Sequence, residues 1–140
     1  MKILIAVDDS DMARHAIEFA ARLGHEGSAN AILLNVRPQP EAYGEISELD
    51  YAVIERTQRE RQQRVLAQAL EHAQRIGIQS ASVQATQGFP ADDIVRVARE
   101  NGVDHIVMGT HGRGAAGRIL MGSVAQRVVH LSPMPVTLVK

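Results

Sequence analysis

Between Gly109 and Ser123 the chain reads GTHGRGAAGRILMGS, five glycines in fifteen residues directly behind the apolar run Ile106-Val-Met108. A loop this rich in glycine lets backbone N–H groups approach an anion closely. Within it, Gly112-Arg-Gly-Ala-Ala-Gly117 spells the G-x-G-x-x-G of dinucleotide-binding turns. That fingerprint belongs after the first strand of its unit, with an acid about twenty residues further on to hold a ribose. Here it follows a late strand, and no Asp or Glu occurs after Asp104, so the dinucleotide reading fails. A P-loop requires a Gly-Lys pair, and the chain contains none. A wider spacing fits better: Gly109, Gly112 and then Gly122-Ser123, or G-x2-G-x9-G-S. Gly109 and Gly112 are expected to turn the chain sharply at the strand's carboxyl end. Gly122-Ser123-Val124 then opens a helix whose unpaired N–H groups and positive dipole end attract an anion. Ser123 is expected to cap that helix and to offer its hydroxyl to a phosphate oxygen, with Arg113 or Arg118 at the rim.

Charge distribution agrees with an anionic ligand. The chain of 140 residues carries a formal net charge of −1, yet residues 105–140 hold Arg113, Arg118, Arg127 and Lys140 and no acid. So small a net charge gives no general attraction to nucleic acid or acidic lipid. With two Tyr, two Phe and no Trp, it has no platform on which single-stranded bases could stack. The six histidines show no H-x3-H pair and there is no cysteine, so no metal site of the protein's own is expected. Ser10, Ser123 and Ser132 lack the G-x-S-x-G elbow of a serine nucleophile. The apolar start, Ile3 to Val7, is cut off by Asp8-Asp9 and is too short for a leader core or a membrane span. A cytoplasmic protein of one domain, 1–140, is the expectation, and the missing cysteine suits a reducing compartment.

These residues need elements to hold them. Ile3–Val7 and 31–36 are short apolar runs that predict buried strands, with a more polar third strand near 81–86. Residues 104–108 and 135–139 predict the fourth and fifth. Between them fall amphipathic stretches: 11–23, opened by Ser10 or Asp9 and stopped by Gly24; 47–76, ending at Gly77; a helix from Pro90 to before Gly102; and 123–131. The charge-dense stretch Glu55 to Arg64 is read as a solvated face with i,i+4 pairs. Five strands alternating with four helices define an α/β domain around a parallel sheet.

G-x2-G-x9-G-S after a buried strand resembles the nucleotide-binding motif of the universal stress protein family. The likeness runs through Ile3-Leu-Ile-Ala-Val-Asp-Asp-Ser10, Leu33-Leu-Asn-Val36, Gly88-Phe-Pro90 and Ser132-Pro-Met-Pro-Val-Thr-Leu-Val139. It implies an open, Rossmann-like sheet in the order 3-2-1-4-5, with helices on both faces and an adenine nucleotide, ATP, ADP or AMP, at the crevice between strands one and four. Mg2+ is the cation a polyphosphate would bring. By position, Asp8 would meet the ribose hydroxyls beside the backbone of Ala6 and Val7. Val36 would meet the adenine, and Met108 and Gly109 the sugar and phosphate. Gly112, Gly122, Ser123 and Val124 would hold the phosphates, with Arg113 at the rim. Where the family has Gly after the ribose-contacting Asp, this chain has Asp9, a second carboxylate expected to cap the first helix.

The resemblance implies a regulatory ATP-binding module of the stress response, a homodimer paired through strand 135–139. Two other readings stay open at this point. One is a slow ATPase, for which His111, Arg113, Asp8 and Asp9 are the nearby groups. The other is a partner-binding protein whose glycine loop is vestigial.

Overall fold

The computed structural model describes residues 1–24, 28–39, 44–112 and 121–140. The strands are β1 (Lys2–Ala6), β2 (Asn30–Pro38), β3 (Ser80–Gly88), β4 (His105–Gly109) and β5 (Val136–Val139). The helices are α1 (Asp11–Leu23), α2 (Glu48–Arg75), α3 (Pro90–Glu100) and α4 (Ser123–Leu131). All strands are parallel in the order β3-β2-β1-β4-β5, the expected topology.

Alternation along the strands makes two cores. Ile3, Ile5, Ala31 and Leu33 face one side and pack with Ala16, Ile17 and Ala20 of α1 and with Val65, Leu66 and Ala69 of α2. Leu4, Ile32, Leu34 and Ile106 face the other and pack with Ile94, Val97 and Ala98 of α3 and with Ala125 and Val128 of α4. Because both faces are covered, β1 and β4 are apolar at every interior position, as parallel strands require. On the second face Arg127 of α4 donates Nε and a terminal nitrogen to the Asp92 carboxylate of α3, both at 3.2 Å. That hydrogen-bonded guanidinium holds the Asp92 carboxyl below its ordinary value.

Helices α2 and α3 stop in the same way. Gly77 and Gly102 have φ of +102° and +62°, and each donates its N–H to the carbonyl three residues back. The next residues, Ile78 and Val103, donate to Ala73 and Ala98 at 2.9 Å and are themselves buried. This is the Schellman arrangement, in which a left-handed glycine closes the helix and an apolar residue seals it.

Three elements differ from expectation. β2 and β3 extend to Pro38 and Gly88, paired throughout from Asn30↔Ser80 to Pro38↔Gly88. Ladder hydrogen bonding, rather than apolar pattern, sets their length. In α2, every buried residue lies at Gln62 or beyond. Its charged stretch does contain the i,i+4 pair Glu55–Arg59 at 3.0 Å. It also ties the helix to the sheet, because Arg61 pairs with Asp9 and Gln62 Nε2 donates at 2.9 Å to the carbonyls of both Asn35 and Thr86. Among the described residues no helix is long and apolar enough to cross a membrane.

Candidate functional site

At the carboxyl ends of the strands, where winding direction reverses between β1 and β4, lies a cleft of about 400 Å3. Open α/β sheets bind ligands at that point. The described residues that the family likeness implies line it, though Asp9 does not: Ala6, Val7 and Asp8 at the end of β1 and just beyond, Val36 on β2, and Met108, Gly109 and Gly112 at the end of β4 and just beyond. Gly122, Ser123 and Val124 complete it at the start of α4. Arg113, with Gly114, Gly117 and Arg118, lies outside the described residues.

The β1–α1 turn is built around Asp8. Its Oδ1 accepts hydrogen bonds from both the backbone N–H and the hydroxyl of Ser10, an Asx-type turn. Ser10 is the N-cap of α1, but its side chain bonds Asp8 and makes no cap hydrogen bond. Of the two residues offered as caps, Ser10 holds the position and Asp9 does not; the Asp9 carboxylate meets the Arg61 guanidinium of α2. An ion pair thereby takes up the carboxylate that sequence reasoning assigned to capping. Asn35 Nδ2 donates to the Val7 carbonyl at 2.7 Å and ties the end of β2 to the same turn.

The glycines act by leaving room. None of Gly109, Gly112 and Gly122 has positive φ. A Cβ on Gly109 would stand 2.6 Å from the Met12 Cβ of α1, and one on Gly112 would stand 3.2 Å from Asp8 Oδ2. The expected sharp turn is therefore a close approach of α1 to β4 and of the loop to Asp8. Gly122 is the N-cap of α4, in extended conformation, and Ser123 is the first helical residue, so Ser123 is not the cap. The Gly122 N–H donates to the Thr110 carbonyl at 2.7 Å. Anion donors at this end are then the next N–H groups, from Ser123 onward, which a helix start leaves without intrahelical partners.

Thr110, which sequence reasoning did not single out, holds the two ends together. Its N–H donates to the Val139 carbonyl at 2.9 Å, its carbonyl receives Gly122, and its hydroxyl lies 2.9 Å from His111 Nδ1. Pro90 and Ile94 of α3 and Leu34 supply an apolar wall near Val36. The one signal for Pro90 was its place directly after Gly88-Phe89. Asn35 was visible only within the apolar run Leu33-Leu-Asn-Val36, and Ser10 was read as a candidate cap of the first helix rather than as a cleft residue.

A doubly wound parallel sheet with a crevice at its switch point, closed by a helix N-terminus and floored by glycines, is the arrangement in which open α/β domains hold ligands. The family model described as Universal stress protein family matches residues 1–140, and the chain belongs to that family. Universal stress protein YxiE of Bacillus subtilis is 32% identical over 146 residues, covering 99% of this chain and 98% of its own. A universal stress protein of Thermus aquaticus is 34% identical, covering 99% and 97%. The structure of the Archaeoglobus fulgidus universal stress protein in complex with dAMP superimposes with a TM-score of 0.72 at 25% identity, covering 100% of this chain and 98% of that one.

Proposed function

We propose that the protein binds an adenine nucleotide, ATP, ADP or AMP, as a regulatory ligand, and that it works as a cytoplasmic homodimer joined along β5. The observation that carries this reading is the single cleft in which the Asp8 turn, the Val36 end of β2 and the α4 N-terminus face one another. Its size falls within the ~300–1,000 Å3 of small-ligand sites. The dAMP complex of a family member supports an adenine nucleotide in particular. In this reading the N–H groups of Ser123 and Val124 take the phosphates, the Asp8 carboxylate the ribose, and the backbone at Val36 the base. Mg2+ enters with the polyphosphate rather than on a protein site.

Mass spectrometry of small molecules released by denaturing freshly purified protein tests the reading directly, and calorimetry with ATP, ADP and AMP, with and without EDTA, measures it. Ser123→Asp sets a carboxylate where the phosphates would lie and weakens nucleotide binding about tenfold or more, since like charges brought into direct contact repel. The same change favours the first turn of α4 by a few tenths of a kcal/mol, so unfolding midpoints stay level or rise. Wild-type protein with no released nucleotide and no calorimetric binding refutes the assignment.

A further inference from the structure

Beside the first cleft, and sharing Asp8, Asn35 and Val36 with it, a second chamber of about 330 Å3 lies between the end of β2 and α2. That is room for on the order of ten waters, enough for a small organic molecule. Arg37 and Pro38 form one wall and Gln58, Arg61 and Gln62 another. The Asp9–Arg61 ion pair leaves that part of the wall electrically balanced.

Arg37 is balanced only loosely. Its side chain is only 10% exposed, and its Nε is buried without an acceptor. Its terminal nitrogens make long contacts: 3.5 Å to the Glu55 carbonyl and 3.4 Å to Gln87 Oε1. The Glu55 carboxylate stands 3.9 Å away, while Arg59 lies closer to it at 3.0 Å. A guanidinium has five donors and holds its charge under all ordinary conditions. Keeping one nine-tenths buried with such poor pairing is destabilising, and an apolar side chain of similar volume would serve the fold as well or better. Underpaired groups of this kind mark functional positions. An arriving anion could also displace Glu55 without stranding it, because Glu55 keeps Arg59.

We propose that this chamber is a second ligand site, for a small organic anion whose phosphate or carboxylate is held by Arg37. It rests on the burial and pairing of Arg37 and is independent of the nucleotide assignment.

Thermal-shift and calorimetric titrations with inorganic phosphate and, separately, succinate distinguish the two anion chemistries. They are run on wild type, Arg37→Met, Arg37→Lys and Ser123→Asp, with the Arg37 Nε–H signal followed by NMR. Expected are binding to wild type and to Ser123→Asp, a moved Nε–H signal, and affinity weakened about tenfold or more in Arg37→Met, the loss of a charged hydrogen bond. Arg37→Lys, which keeps the charge without the fork, falls between them. Without anion, Arg37→Met melts no lower than wild type. The proposal is overturned if Arg37→Met titrates like wild type, if Ser123→Asp abolishes all anion binding, or if neither probe binds wild type. Loss of nucleotide binding with this anion site intact counts against the first cleft alone.

Discussion

At the residue scale, glycine in this site is a matter of clearance. A methyl group on Gly109 meets the Met12 Cβ at 2.6 Å, an atom fixed to the backbone of α1, whereas one on Gly122 meets the Thr110 carbonyl oxygen at an ordinary 3.4 Å. Gly109→Ala is therefore expected to lower stability by about 1–3 kcal/mol through forced displacement of the helix. Gly122→Ala should stay within about 0.5 kcal/mol of wild type. Urea unfolding midpoints of the two variants decide it, and equal midpoints would show that clearance is not what selects glycine at 109. Sequence alone shows these positions as a pattern of spacing. It misjudged their cause, since backbone dihedrals and the distance from β4 to α1 are tertiary quantities. Asp9 and Ser123 were misassigned for a related reason. Two adjacent polar residues can each cap a helix in principle, and only the position of Arg61, fifty-two residues away, shows what Asp9 does.

Elements show the reverse balance. The runs Ile3 to Val7 and 104–108, each within a residue of the strand observed, the Pro90 start and the Gly77 and Gly102 stops were legible, because each is a local signal with a local cause. What local pattern could not give was the length of β2 and β3, fixed by their mutual ladder, or the burial of Gln62, whose amide has no apolar signature. Gly102→Ala places a Cβ in the left-handed region at φ +62° and is expected to destabilise by about 1–2 kcal/mol, with ligand binding unchanged because Gly102 lies outside the cleft. Unfolding and binding measured on the same preparation separate the two effects.

For the molecule as a whole, β5 ends the sheet with no strand beyond it among the described residues. The carbonyls of Pro135 and Val139 accept from Ile106 and Thr110, so the alternate residues Val136 and Leu138 direct their backbone groups to the open edge. Val136→Pro removes one outward donor and spares the ladder to β4. If two copies pair there, the expected result by light scattering is a drop from twice the chain mass to once, with the circular dichroism spectrum unchanged. An unaltered mass would place any dimer contact elsewhere. Strand order was legible only through family likeness, because alternation of elements prescribes a parallel sheet but not which strands are neighbours.

Thr110 gives the C-terminal strand a significance for anyone handling the protein. The Val139 carbonyl secures the peptide that seats α4, and the Lys140 carbonyl lies 3.0 Å from His15 Nδ1 of α1. Fluorophores, affinity handles or crosslinks attached at these last two residues would therefore pull on the floor of the cleft. Labels meant to report on ligand without disturbing it are better carried on the exposed first turns of α2, residues 48–53, where Leu49 and Val53 stand in solvent.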